Sequence, residues 1–501
     1  MDVQVSEASA ERVEADVLGF AVVDPVTLSG SARDLDRALG GRLEHLAEDG
    51  ELAGSEATVT LVHTRDELAA HRVAAAGVGP AGELDADGLR TAAAAVAART
   101  ATMNGGSVAW LLDDGSFGIT PAEQARAVVD GLLLGRYDAG RWKSDGRPPA
   151  PIERLVLCGP GGADPETAEE ARRAAVVARW TNRCRDLVNA PPNELTPAAL
   201  AQVAEEVAAG SEALAVEILG PEEIQAAGMG AFSAVAHASH NPARLIVLRY
   251  EPPGAAESGV LLGLVGKAIT FDAGGISLKP ADGMDEMKSD MGGGGAVVGA
   301  LGAIAELGIP VRIIGVVPAC ENMPGGHAYR PGDIVTASNG KTIEISNTDA
   351  EGRLALADAL WFARGRGATH VLDLATLTGT MSVAMGDFYA GLWGNDDAWV
   401  ETVLTAARAS GDHAWPMPLH RTYRRFNDSG FADLKNAPEK KRGSSIIAAH
   451  FLQEFAGEGP WAHLDIAGTA YIDRTRDYYV RPGATGYGVR LLTELARRVA
   501  P

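Results

Sequence analysis

The sequence predicts an α/β protein of two domains, each a helix-flanked and mostly parallel sheet. Three observations carry this. Apolar runs of strand length alternate with Ala-rich helical stretches along most of the chain, the pattern of α/β layers. In the second half those runs show little alternation, as strands covered on both faces require. A length of 501 residues exceeds what one core comfortably fills, so two domains are the default.

The elements follow in order. Val17–Val23, Ala57–Val62, Val108–Leu112 and Leu155–Leu157 read as strands, and Asp87–Ala98 and Pro121–Leu134 as helices. This first domain, 1–162, holds no cluster of chemically capable side chains, which suits an assembly or regulatory role. Gly159-Pro-Gly-Gly162 marks a break. A helical pattern from Pro165 to Val188 forms a linker assigned to 163–190, and Asn189-Ala-Pro-Pro-Asn193 stops it, as proline must. In 191–501, Leu245–Leu248, Val260–Val265, Val311–Val317, His370–Leu374 and His463–Ile466 read as central strands. Helical patterns lie near 285–307, 353–364 and 445–456. Ile334–Ile345 reads as a hairpin turning at Asn339-Gly340. No internal repeat is visible.

Composition narrows the function. Hydrophobic residues make up 46%, enough for sizeable interiors, and 66 Asp+Glu against 44 Lys+Arg give −22. Such a charge repels phosphate backbones and disfavours a nucleic-acid partner. Cys158, Cys184 and Cys320 are widely spaced, with no CxxC pattern. They suit a reducing compartment and small core positions. The start, Met1-Asp-Val-Gln-Val-Ser-Glu-Ala, is no secretory signal, and no window resembles a spanning helix. The expectation is a cytoplasmic, soluble protein without a membrane partner.

The densest chemistry lies in Asn347-Thr-Asp-Ala-Glu-Gly-Arg-Leu354. Asp349, Glu351 and Arg353 sit between a strand-like run and a helical one, a junction where a fold holds side chains over a cleft. A second cluster follows the strand 260–265: Lys267, Asp272, Lys279 and Asp290, with Gly274-Gly275 allowing a sharp backbone excursion. Lysine at the end of a buried strand either pairs with a carboxylate or is neutral and serves as ligand or base. Singly, each residue has a plain structural reading: a surface lysine, a turn aspartate, acids at a helix N-terminus. Together, four acids and two lysines near the strand ends of one sheet point to metal. Carboxylate oxygens with one nitrogen suit Zn²⁺, Mn²⁺ or Mg²⁺. Two ions ~3.5–4 Å apart serve hydrolysis by gripping water and a substrate oxygen. The run Gly292–Gly295 within a helical pattern is costly, at ~1 kcal/mol per Gly relative to Ala. It implies close backbone packing.

These stretches, GKAITFDAGGISLKP, MDEMKSDM and NTDAEGRL, resemble those of the leucyl aminopeptidases, the cytosol aminopeptidase family of two-metal exopeptidases. NAPPNELTP, PGDIV, DLATLTG, HLDIAGTAY and, in the first half, GLLLGRYDAGRWKS are similar too. The resemblance covers the second half almost throughout and the first half weakly. It implies a metal-dependent aminopeptidase that hydrolyses N-terminal residues, preferably apolar ones such as Leu, from peptides by two-metal-activated water. Asp272 and Glu351 would bridge two divalent ions (Mn²⁺ or Zn²⁺). Asp349 would complete the more exchangeable site, and Lys267 and Asp290 the tighter one. Lys279 would polarise the scissile carbonyl. Arg353 would hold a bicarbonate acting as general base. Met287, Thr376, Gly379 and Ala467 would line the side-chain pocket. The substrate's free α-amine would bind metal and Asp290. The family's assembly is a homohexamer, a dimer of trimers with active sites facing an interior cavity.

The departures are Ala268 where Gly is frequent, Gly294 and Gly295 where Ala is common, and Ala139 for an aromatic residue. None is a ligand position. Two rival readings are a two-metal phosphatase or nuclease and a DNA-binding role for the first domain. Both require a basic surface that this sequence lacks.

Overall fold

The computed structural model describes residues 2–28, 30–103, 106–115, 118–144, 149–255, 259–437, 442–479 and 481–501. The chain divides into two compact units. The first is Met1–Asn182 with Asp473–Pro482, and the second is Arg183–Ile472 with Gly483–Pro501. The division falls inside the helix Pro165–Asn189.

The first unit is built on one sheet of β1 (Asp2–Ser6), β2 (Val17–Asp24), β3 (Val59–His63), β4 (Arg72–Pro80), β5 (Ser107–Leu111) and β6 (Arg154–Cys158), ordered β1-β6-β5-β2-β4-β3. Every pair is parallel except β3 with β4. Apolar residues on both faces explain why: Val17, Trp110 and Leu157 join a core with the helices Ala86–Arg99 and Pro121–Gly135, while Leu18, Phe20 and Val156 join another with Leu35 and Leu43. Thr120 caps the helix Pro121–Gly135 through a reciprocal pairing with Glu123. The strand read at Ala57–Val62 is displaced to Val59–His63, because Ala57 takes φ +60° and turns the chain. Strands β1 and β4 were not anticipated.

The second unit contributes β7 (Leu214–Leu219), β8 (Arg244–Tyr250), β9 (Leu261–Gly266), β10 (Ala268–Asp272), β11 (Arg312–Asn322), β12 (Ile334–Thr336), β13 (Thr342–Glu344), β14 (His370–Ala375), β15 (Ala390–Gly394), β16 (Ala414–Pro416), β17 (Leu434–Lys435) and β18 (Trp461–Asp465). Its main sheet runs β16-β15-β18-β14-β9-β11-β8-β7, with β10 beside β11. The centre β18-β14-β9-β11 is parallel. Its residues are buried almost without exception, as a sheet covered on both faces demands. The hairpin of β12 and β13 turns through Gly340 at φ +85°.

The pattern 285–307 is not one helix. Met284–Met291 is 3₁₀, and the α-helix Gly292–Leu307 starts at the glycine run. Close packing accounts for two of those glycines. A Cβ on Gly293 would stand 2.1 Å from the Leu374 carbonyl oxygen, and one on Gly294 would stand 2.7 Å from Ala268 Cβ. Ala268 and Gly294 therefore meet at one shared contact. All three cysteines are buried, and burial pushes the Cys158 and Cys184 thiols up to about 12, in keeping with core roles. Among the described residues no helix is long and apolar enough to cross a membrane.

Candidate metal centre

Four chain segments bring the charged residues together at one end of the parallel strands. Lys267 sits between β9 and β10. Its N–H donates to the Leu374 carbonyl at 3.0 Å, and its carbonyl accepts from Gly294 N–H at 2.7 Å. The residue is thus clamped between the end of β14 and the start of the glycine-rich helix. Asp272 ends β10, in register with Asn322 at the end of β11. Asp290 lies on the 3₁₀ stretch. Asp349 and Glu351 precede the helix Gly352–Gly365.

The Lys267 ammonium meets Asp290 Oδ1 at 2.7 Å, Glu351 Oε1 at 2.8 Å and the Thr376 carbonyl at 2.9 Å, which uses its three protons. Lys279 Nζ lies 2.9 Å from Asp272 Oδ2 and 2.6 Å from Asp349 Oδ1. One carboxylate oxygen each from Asp272, Asp290 and Glu351 lies within 4.8 Å of the others, and all three residues are buried. Four carboxylates thus face two ammonium groups, and the pocket is short of positive charge when all are ionised. Asp290 Oδ2 is buried without a hydrogen-bond partner among the described residues. A buried, electron-rich, under-donated set of oxygens is costly alone and well suited to divalent cations.

The proton affinities report the same crowding. Burial and Glu351 push Asp272 up to about 6, against the pull of Lys279 and Lys267. Burial also raises Asp290, overriding Lys267. Glu351 goes the other way. Burial opposes ionisation there, but Lys267 wins and holds it below the usual range. For Lys267, burial disfavours the charge, yet Asp290, Glu351 and Asp272 outweigh it and keep the ammonium protonated. Of the two states the sequence allowed for Lys267, the charged partner describes the protein without ions. A ligand role requires cations to displace the proton.

The glycines around the cluster have identifiable work. Gly274 and Gly275 adopt φ +86° and +66°, and a Cβ on Gly275 would stand 2.9 Å from Asn322 Oδ1. Thr348 stitches this loop to the NTDAEGRL segment, donating to the Gly274 carbonyl at 2.7 Å and accepting from Ser277 N–H at 2.7 Å. Asn322, missed in the sequence, donates to Asp272 Oδ1 at 2.8 Å and to the Thr348 carbonyl at 3.0 Å. Tyr329 donates to that same carbonyl at 2.7 Å. The only sequence trace of Asn322 is a polar residue closing an apolar strand.

Arg353 is buried, and Nη1 donates to the Asn436 carbonyl at 2.7 Å, while Nε has no partner among the described residues. Burial draws the guanidinium down to about 10, although Glu351 and Asp465 resist. Thr376 joins the cluster directly, its hydroxyl donating to Asp290 Oδ1 at 2.7 Å. Met287 shares the 3₁₀ stretch with Asp290 and is half-buried, Gly379 is exposed at the start of the helix Gly379–Met385, and half-buried Ala467 follows β18. Among the described residues these last three make no hydrogen bond to the carboxylates of Asp272, Asp290, Asp349 or Glu351.

Comparison with known proteins places this geometry. The family model "Cytosol aminopeptidase family, catalytic domain" matches residues 182–493, and that of the N-terminal domain matches residues 17–146. The chain belongs to the cytosol aminopeptidase family. A probable cytosol aminopeptidase of Solibacter usitatus is 46% identical over 453 residues, 90% of this chain and 92% of the relative. The structure of a tomato leucine aminopeptidase variant aligns with a TM-score of 0.89 at 33% identity, covering 99% of this chain and 96% of the other. That of the bottromycin maturation enzyme BotP in complex with Mn aligns at 0.83 and 36% identity, covering 96% and 99%. Cytosol aminopeptidases are peptidases, so the chain is a hydrolase acting at peptide N-termini.

Proposed function

We propose that this aminopeptidase removes apolar N-terminal residues, Leu among the best, from short peptides, using two divalent ions held by Lys267, Asp272, Asp290, Asp349 and Glu351. The observation that carries the reading is the buried trio of carboxylates converging within 4.8 Å. When bound, Mn²⁺ or Zn²⁺ supplies Lewis acidity and lowers the pKa of water.

The chain's own groups do the rest. Lys279, paired to Asp272 and Asp349, offers its ammonium to the scissile carbonyl and the charge that develops there. Asp290, whose Oδ2 has no donor among the described residues, accepts a hydrogen bond from the substrate's free α-amine, which ties cleavage to a free N-terminus. Arg353, with an unused buried Nε, is a planar anion clamp suited to bicarbonate, which would supply a general base that arginine itself is not. Thr376, Gly379, Met287 and Ala467 form the side-chain slot.

The domain roles follow the sequence reading: 1–162 for assembly or regulation, 163–190 as linker, 191–501 for catalysis. A cytoplasmic homohexamer is the assembly we propose. Its support is the resemblance together with the exposed apolar side chains Val383 and Phe431, at 88% and 83% accessibility, and light scattering tests it.

Glu351→Gln is the direct test of the site. Hydrolysis of leucine p-nitroanilide should fall by at least ~10²-fold, the scale of losing a group that positions reacting atoms, with an unchanged circular dichroism spectrum. Metal analysis of the wild type should return two ions per chain. Undiminished turnover in the variant would remove these residues from the reaction.

A further inference from the structure

The residues assigned to the side-chain slot sit largely on two stretches distant in sequence. Thr376 and Gly379 follow β14, and Ala467 follows β18. The two strands are parallel neighbours, with Ala375 in register with Asp465. Both stretches leave the sheet at the same end, beyond the last ladder bond, so something else must hold them in position.

One side chain does so. Asp465, the buried last residue of β18, gathers four donors. Its Oδ1 accepts the N–H groups of Leu377 at 3.2 Å, Thr378 at 3.4 Å and Ala467 at 3.2 Å. Its Oδ2 accepts the Thr378 hydroxyl at 2.6 Å. An ordinary turn aspartate serves donors of its own loop. Here only Ala467 is local, and the other three donors lie 87 and 88 residues away. The far side of the same junction is closed by backbone contact, since a Cβ on Gly468 would stand 2.1 Å from the Gly386 carbonyl oxygen. Thr376 is meanwhile tied to Asp290 and Lys267. The Asp465 carboxylate therefore sets where the peptide units after Thr376 stand relative to Ala467.

We propose that Asp465 is a positioning residue for side-chain specificity: it fixes the width of the slot by bonding both walls, without touching substrate. This rests on the reading that Thr376, Gly379 and Ala467 line that slot. A positioning role predicts a loss of discrimination, not a uniform loss of rate. A slot held a few tenths of an ångström too loose loses contact with a leucyl side chain and has little to lose for glycine.

The test uses the metal-loaded full chain as Asp465→Ala, Asp465→Asn and Thr378→Val, with kcat and KM measured on leucine, alanine and glycine p-nitroanilides and metal content measured alongside. For Asp465→Ala the leucine-over-glycine ratio of kcat/KM should fall about tenfold, the lower scale of pocket discrimination, chiefly through KM, with metal content at the wild-type level. Asp465→Asn keeps an oxygen for the backbone donors and should recover most of the ratio. Thr378→Val removes one donor and should fall between. Equal slowing of all substrates with the ratio intact, or loss of metal, would overturn the proposal. Should Asp465→Ala fail to fold, an unchanged ratio in Thr378→Val overturns it alone. A wild type indifferent to leucine and glycine would instead sink the slot reading and this inference with it. A discriminating wild type with equally discriminating variants sinks only the role of Asp465.

Discussion

Gly352→Ala would place a carbon 2.5 Å from Lys267 Cε, 2.7 Å from Cδ and 2.7 Å from Nζ. Non-bonded carbons rest at about 3.5–4.0 Å, so the lysine must retreat by roughly 1 Å. A lysine tip ordinarily moves cheaply. This one is pinned by three acceptors at 2.7, 2.8 and 2.9 Å. A retreat of that size takes at least one of these bonds beyond hydrogen-bonding range. Each bond involving a charged group contributes about 1.5–3 kcal/mol, while alanine in place of glycine returns about 1 kcal/mol of helix propensity. The net expectation is a loss of about 0.5–2 kcal/mol in the metal-free protein. Function should suffer more, because a 1 Å misplacement at a reacting centre costs about 10²-fold. The assay pairs urea unfolding of the metal-free variant with calorimetric ion titration and leucine p-nitroanilide turnover. Wild-type ion affinity, turnover and stability together would show that Lys267 has room to spare, and the argument that it is held in place would fail.

Three other outcomes follow from the same geometry. Lys279→Ala should lower kcat about 10²–10³-fold, the effect of removing one electrostatic stabiliser, while metal content stays the same; lost metal instead would reassign Lys279 to ion binding. Asp272, held up near 6, is a carboxyl raised above its unfolded value, so in the metal-free protein its contribution to stability is full below about 4 and is lost as pH rises through about 6. Ion binding must expel that proton, and that of Lys267 with it, so chelator competition should show affinity falling at least about tenfold per pH unit below 6, and a flat profile between pH 7 and 5 would contradict it. Gly293→Ala sets a Cβ against the Leu374 carbonyl and the Lys267 amide nitrogen, at 2.1 and 3.0 Å. Backbone cannot step aside, so denaturant titration should show a loss of about 3 kcal/mol.

Much of this is legible in the sequence alone. β9, β11, β14 and β18 are short apolar runs buried on both faces, and composition alone marks such strands. The carboxylates were visible because acids rarely crowd the ends of apolar strands without a task. Other features were silent for physical reasons. β4 is Arg-Val-Ala-Ala-Ala-Gly-Val-Gly-Pro, small residues of weak strand propensity that become a strand only by lying between β2 and β3. Asn322 and Asp465 serve backbone and carboxylate partners from remote segments, and a single polar letter at a strand end does not announce them. The purpose of the glycine run lay in what stands opposite it in space, which neighbours in sequence do not reveal.

The ten residues Asp473–Pro482 belong to the first unit although they come almost last in the chain. Arg481 pairs there with Asp138, and Arg90 lies 5.3 Å from the ring of Tyr478. During synthesis, the first unit is therefore finished only after the intervening stretch Arg183–Ile472 has been made. A gene fragment ending at Asn182 would encode that unit without its closing piece, and one protease nick between the units would still leave them joined by the remaining crossings of the polypeptide.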